Sequence, residues 1–209
     1  QLEELLALLN DNETKGLAIP ADFSREDDIA KVFECVRNEW GGVRVLINNA
    51  GLGYQEDLVQ GSTESWREML DVNVLALTIC MKEAIKDIEP AGLGQIINIS
   101  SVAGHRVPLG KQLGMYSATK HAVKALTEAM WGELASKGSP IKIGTISPGV
   151  VETEWHAKAF RDAAKAQQRY AETKSLQPDD IADVVCFLLS TPIHVQINEI
   201  TLRPTGQKV

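Results

Sequence analysis

Gly94-Gln95-Ile96-Ile97-Asn98-Ile99-Ser100 is a short β-branched apolar run that opens on a glycine and closes on a hydroxyl. A run of this length between turn residues reads as a buried strand. Downstream of it, residues 116–136 have helical spacing, residues 141–146 form another apolar run, residues 157–170 and 178–190 are helical, and residues 197–202 close as a strand. Upstream, a helix over 63–89 follows a β-branched run at 43–47. Ahead of that, Ser24 with Asp27 signals the start of a helix to about Trp40, stopped by Gly41-Gly42. Gly16-Leu17-Ala18-Ile19 reads as a further short buried strand, Asn10-Asp11-Asn12 as a polar turn, and Leu2, Leu5, Leu6 and Leu9 as the apolar face of an opening helix. Strands alternating with helices of this length predict an α/β fold, a doubly wound parallel sheet of Rossmann type. The length suits a single domain over 1–209.

Composition narrows the function. A net charge of -7 argues against a nucleic-acid partner, which needs clustered Lys and Arg. Cys35, Cys80 and Cys186 are dispersed in apolar surroundings without metal-ligand spacing, and read as reduced core thiols with no metal site. No apolar run is long enough for a transmembrane segment, and a cytoplasmic location is the expectation.

The chemistry lies around the strand that decides the fold. Tyr116-Ser117-Ala118-Thr119-Lys120 sets a phenol and an ammonium one helical turn apart on one face. A tyrosine with its ordinary pKa of about 10 is a poor base, and a nearby cation favours the phenolate. Ser100 and Ser101 stand at the carboxyl end of the strand, the edge where doubly wound sheets bind ligands. A hydroxyl, a phenol and an ammonium in that order point to proton exchange with an alcohol or carbonyl oxygen. Taken singly, each has a structural reading: a strand end, or a Tyr and Lys pair on a helix surface.

With these residues the chain resembles the short-chain dehydrogenase/reductase family from its first residues to about Pro204. Asn48-Asn49-Ala50-Gly51 after a buried strand, Asn73 in Asp71-Val72-Asn73-Val74, Ser147-Pro148-Gly149-Val150-Val151-Glu152-Thr153, and Asp22 after the first strand carry the resemblance further. The runs from Gly104-His105-Arg106-Val107-Pro108 to Lys120-His121-Ala122-Val123 are similar to the branch of dehydrogenase/reductase member 11 and insect farnesol dehydrogenases.

That resemblance implies an NADP-dependent oxidoreductase, with NAD the lesser cofactor, acting on a lipophilic alcohol or ketone: a farnesol-like isoprenoid or a steroid-like carbonyl. It implies Tyr116 as proton donor and acceptor, Lys120 as the group that lowers its pKa, Ser101 as the residue orienting the substrate oxygen, and Asn73 as the fourth catalytic residue, anchoring a water relay. Cofactor contacts are implied at Asp22, Phe23, Asn49, Ala50, Gly51, Tyr116, Lys120, Pro148, Gly149, Val150, Val151, Glu152 and Thr153, and substrate contacts at Ser101, Tyr116 and Trp155. Residues 154–175 take the place of the family's substrate lid. His156 within it reads as a lid-surface histidine, and His105 and Arg106 as loop residues with a substrate contact open to them. A homodimer or homotetramer is implied. No glycine-rich turn precedes Leu2, so the family's first two strands are expected to be missing. The alternative is a catalytically inactive truncated paralogue or fragment that acts only through association.

Overall fold

The computed structural model describes residues 2–10, 14–110, 112–171 and 174–207. Its helices are α1 (Leu2–Asn10), α2 (Glu26–Trp40), α3 (Thr63–Leu70), α4 (Leu77–Ala91), α5 (Gly114–Ser136), α6 (Trp155–Phe160), α7 (Ala163–Ala171) and α8 (Pro178–Ser190). The strands are β1 (Val45–Asn48), β2 (Gln95–Ile99), β3 (Lys142–Pro148) and β4 (Glu199–Leu202), parallel and in the spatial order β1-β2-β3-β4.

Alternation along the central strands explains how the layers assemble. Side chains at successive strand positions point to opposite faces. Ile96 and Ile143 enter one core with Ile29 and Phe33 of α2, Met81 and Ile88 of α4, and Val123 of α5. Ile97 and Ile146 point the other way and pack with Leu188 of α8. The central strands β2 and β3 are therefore covered on both faces, as the strand and helix alternation predicts. Burying one such isoleucine fully is worth about 1.5–3 kcal/mol.

Several local expectations are corrected. Residues 16–19 form no strand, and Leu17 is 38% exposed. A strand exists only through its partners, and the described residues supply no neighbour beyond β1 on that side. Asp11 and Asn12, of the expected polar turn, lie outside the described residues. Helix α2 is entered from Arg25 without a side-chain cap, because the Ser24 hydroxyl donates to Asp22 instead. It ends where Gly41 takes a left-handed φ of 75°. Of the three thiols only Cys80 is buried; Cys35 is intermediate and Cys186 exposed, so the expectation of three core thiols holds for one.

The expected helix over 63–89 exists with an interruption. Between α3 and α4 the backbone widens into a π-helical turn, Asp71–Ala76, which carries Asn73. Such turns put an extra residue into a helix and re-aim its side chains. The lid, read as one helical stretch, is two helices. Arg161, with a φ of 52°, ends α6, and the Asp162 carboxylate accepts from the amides of Ala164 and Lys165 to start α7. Glu172 and Thr173 of the expected lid lie outside the described residues.

Candidate active site

At the carboxyl ends of the strands a cavity of about 1140 Å³ opens. Strand β2 delivers Ser100 and Ser101 to its floor, and α5 brings Tyr116 and Lys120 alongside. All four are buried. The two serines divide the work. Ser100 Oγ donates to the Lys120 carbonyl at 3.2 Å, which ties β2 to α5. Ser101 Oγ accepts from the Ala103 amide at 3.1 Å, capping the turn Val102–Gly104, and its hydroxyl is near enough to the Tyr116 phenol to favour the phenolate. Of the two serines, Ser101 is the one whose side chain faces Tyr116.

Electrostatics at the pair differ from the expectation. Burial pushes the Tyr116 phenol up to about 12, with the Ser101 hydrogen bond pulling weakly the other way. Burial also brings the Lys120 ammonium down to about 8. Lys120 Nζ lies 5.9 Å from the centre of the Tyr116 ring and donates to the Ile99 carbonyl at 2.8 Å. A cation bonded to a backbone carbonyl does not lower the phenol enough to offset desolvation. Lowering of the Tyr116 pKa by Lys120 is therefore not produced by these protein groups alone.

Asn73 is held from three sides. Its amide donates to the Leu52 carbonyl at 2.7 Å and to Thr119 Oγ1 at 3.0 Å, and its oxygen accepts from the Leu52 amide at 2.9 Å. Thr119 Oγ1 donates in turn to the Tyr116 carbonyl. The side chain is committed to protein groups, and fixes the loop after β1 against the turn of α5 that carries Tyr116. Gly51 fits between them: a Cβ there would stand 3.3 Å from Asn73 Oδ1 and 3.4 Å from Lys120 Nζ. Leu52 and Thr119 were not singled out from sequence, since a leucine after a glycine and a helical threonine carry no pattern of their own.

Among the residues implied as cofactor contacts, Asn49, Gly51, Tyr116, Lys120, Pro148, Gly149, Val150, Val151 and Thr153 line the cavity. The others sit elsewhere. Asp22 is a surface carboxylate accepting from the Ser24 amide and hydroxyl, Phe23 packs against the core beside α2, Ala50 lines a smaller neighbouring pocket, and Glu152 accepts from the Gln177 amide. Gln207 folds back so that its oxygen accepts from the Val150 amide at 3.0 Å.

The walls are apolar where α6 lies over Tyr116. The Trp155 ring lies 4.9 Å from the Tyr116 ring at 52°, and Gly53 lets the loop pass beneath both. Leu109, Leu113 and Phe160 add to this wall. The charged lining residues are Arg106, Lys120, Lys165 and Arg169, and no Asp or Glu side chain is among the described lining residues. In a chain of net charge -7 this positive lining suits an anionic ligand such as a dinucleotide. The four are dispersed in sequence, so no basic run announces them.

His105 is drawn away from the cavity. Its Nε2 lies 2.7 Å from Glu199 Oε1 and its Nδ1 2.9 Å from Lys124 Nζ. Glu199 also meets Lys124 at 3.3 Å and accepts from Ser147 Oγ at 2.7 Å. One carboxylate at the start of β4 therefore joins the loop after Ser101, helix α5 beyond Lys120 and the carboxyl end of β3 at Ser147. Ser147 and Lys124 lower its pKa by hydrogen bonding against the rise from burial. His156 is not a surface residue: it is half-buried against Trp155, Phe160 and Tyr170 and lines the cavity. Among the described residues no cluster of His, Cys, Asp and Glu has the arrangement of a metal site, and no helix is long and apolar enough to cross a membrane.

Comparison with known proteins bears on the family and the fold. The chain matches the short chain dehydrogenase family over residues 1–164. It is 46% identical to dehydrogenase/reductase SDR family member 11 of Bos taurus, over 99% of this chain and 83% of the relative. It is 39% identical to the farnesol dehydrogenase of Aedes aegypti, over 100% of this chain and 83% of the relative. Among solved structures, a serine dehydrogenase in its closed form, complexed with NADP+, superposes with a TM-score of 0.88 at 30% identity, covering 99% of this chain and 84% of that one. An alcohol dehydrogenase from the archaeon Thermococcus sibiricus, complexed with 5-hydroxy-NADP, gives 0.81 at 26% identity, covering 100% and 81%. The buried serine, tyrosine and lysine at the sheet edge, together with these likenesses, place the chain in the short-chain dehydrogenase family, and it is an oxidoreductase of that family.

Proposed function

We propose that the protein transfers a hydride between NADP(H) and a lipophilic alcohol or ketone, of farnesol-like or steroid-like character. The observation that carries the reading is the placement of Ser101, Tyr116 and Lys120 together, buried, on the floor of one large cavity with an aromatic lid. The apolar wall of Trp155, Leu109, Leu113 and Phe160 supports a lipophilic substrate, and the likeness to farnesol dehydrogenase supports an isoprenoid. The basic lining supports a phosphorylated cofactor, as do the structural relatives complexed with NADP+ and 5-hydroxy-NADP.

The nicotinamide supplies the hydride, and the chain supplies orientation and proton traffic. Asn49, Gly51 and the turn Pro148 to Thr153 hold that end of the cofactor, with Lys120 beside them. Ser101 donates to the substrate oxygen and turns the reacting carbon toward the cavity floor. Tyr116 delivers its proton to that oxygen during carbonyl reduction, or receives it during alcohol oxidation. Lys120 balances the charge that develops on the phenol, in a site where low dielectric strengthens the effect. Asn73 keeps the loop at Leu52 and the helix at Thr119 in register, so that the two proton-carrying residues stay in place. Trp155 covers the reacting centre from the lid side.

Association into a homodimer or homotetramer belongs to the same proposal, supported by Leu70 and Leu75, which lie exposed along the α3 and π-turn surface. Light scattering of the purified protein reads it directly. The activity is tested by following NADPH and NADH consumption with farnesal and with a steroid ketone, and the reverse reaction with farnesol. Turnover with NADPH on an apolar carbonyl is expected. Absence of turnover with every apolar carbonyl and alcohol, in a folded protein that binds NADPH, overturns the substrate assignment.

A further inference from the structure

His156 packs among the rings of Trp155, Phe160 and Tyr170, yet its hydrogen bonding defines one nitrogen. The Tyr170 hydroxyl has a single hydrogen, and it donates to the Thr153 carbonyl at 2.5 Å. The Thr153 amide donates back to the same oxygen at 3.3 Å. His156 Nδ1 lies 3.2 Å from that oxygen, which has no hydrogen left to give it. Nδ1 must therefore carry the imidazole hydrogen and donate. Burial, helped by the positive charge of Arg169, lowers the ring's pKa to about 4, so it holds only this one hydrogen at neutral pH. Nε2 is then a bare acceptor.

Nε2 opens onto accessible space. The buried side-chain nitrogens and oxygens without a partner among the described residues are Trp66 Nε1 and Ser117 Oγ, and His156 Nε2 is not among them. His156 lines the large cavity, one ring contact beyond Trp155, which itself lies against Tyr116. An acceptor fixed among aromatic rings in a cavity wall can recognise a hydrogen-bond donor on the ligand.

We infer that His156 is a specificity-determining residue, whose Nε2 accepts a hydrogen bond from a second hydroxyl of the substrate, remote from the reacting carbinol. The inference rests on the proposed alcohol and ketone activity and deepens it: the preferred substrate is a lipophilic alcohol with a second donor at its far end. A site built to receive a donor rejects the analogue that lacks it, because the acceptor is left unpaired.

The test compares kcat/KM with NADP+ for straight-chain primary alcohols and the α,ω-diols of the same chain lengths, in the wild type, His156→Phe and His156→Gln. The wild type is expected to favour at least one diol over its matching monoalcohol by about fivefold to tenfold, the worth of one such hydrogen bond. His156→Phe brings that ratio to about one, while His156→Gln, which keeps an acceptor oxygen, retains part of it. Thermal melting of both variants separates a lost contact from a lost fold. Oxidation of monoalcohols with no diol preference in the wild type, or with a preference that survives in a folded His156→Phe, overturns the inference and leaves the proposed activity standing. If the wild type oxidises neither class, the proposed activity falls and the inference with it.

Discussion

Tyr116 and Lys120 both carry their protons at neutral pH in the protein alone, since burial holds the phenol near 12 and the ammonium near 8. In that state the phenol is a proton donor, which suits carbonyl reduction. As pH rises through about 8, Lys120 loses its charge and the support it gives the developing phenolate. The kcat/KM for reduction is therefore expected to fall above that pH. In Lys120→Arg, whose guanidinium keeps its proton, the break moves to higher pH, and pH–rate profiles of the two proteins check this. Asn73 yields a second prediction. Asn73→Ala leaves the half-buried Leu52 amide and carbonyl without their partner, at about 1–3 kcal/mol for the pair. Urea unfolding should show a loss in that range. Ser101, Tyr116 and Lys120 were readable in the sequence because a strand end and a helical turn fix their relation locally. The three-sided clasp on Asn73 was not, because Leu52 and Thr119 reach it from other elements.

At the scale of elements, α6 and α7 carry their own pH dependence. The folded-state pKa of His156, near 4, lies below its ordinary 6.5, so the unfolded chain binds the proton more readily. The stability held by the neutral ring is present above 6.5 and is lost as pH falls toward 4. Melting temperature measured across that window should drop more in the wild type than in His156→Phe, whose difference isolates this ring from the acid titration of carboxylates. The Glu199 cluster acts between elements rather than within one. Glu199→Ala leaves Lys124, His105 and Ser147 without their shared partner and should cost about 1.5–3 kcal/mol, the range for hydrogen bonds to a charged group, read by denaturant unfolding. Strands β2 and β3 and the long helices follow from local periodicity. Residues 16–19 have the same apolar character yet form no strand, because pairing depends on neighbours and not on the run itself. Arg161 gives no sign in sequence of the left-handed conformation that divides the lid.

At the scale of the molecule, coverage of the sheet is uneven. The face that Ile97 and Ile146 share with α8 continues to β1, where Val45 and Ile47 are 44% and 42% exposed. Exposed apolar strands at a sheet edge attract dyes and other chains. The pair of changes Val45→Thr and Ile47→Thr should lower binding of an apolar-surface dye with little loss of stability, checked by dye fluorescence and melting of the double variant. The doubly wound arrangement was readable from the alternation of elements. The positive lining was not, because Arg106, Lys120, Lys165 and Arg169 come from separate elements and line one cavity only in the folded chain.

The central claim is that Tyr116, held by Ser101 and α5 at the floor of the cavity, moves the proton. Kinetics of Tyr116→Phe with NADPH and an apolar carbonyl test it, alongside NADPH binding and melting of the same variant. The account predicts a loss of turnover of about a hundredfold to ten-thousandfold, the contribution of a positioned acid or base, with cofactor binding and melting temperature retained. A folded phenylalanine variant that turns over at the wild-type rate contradicts it.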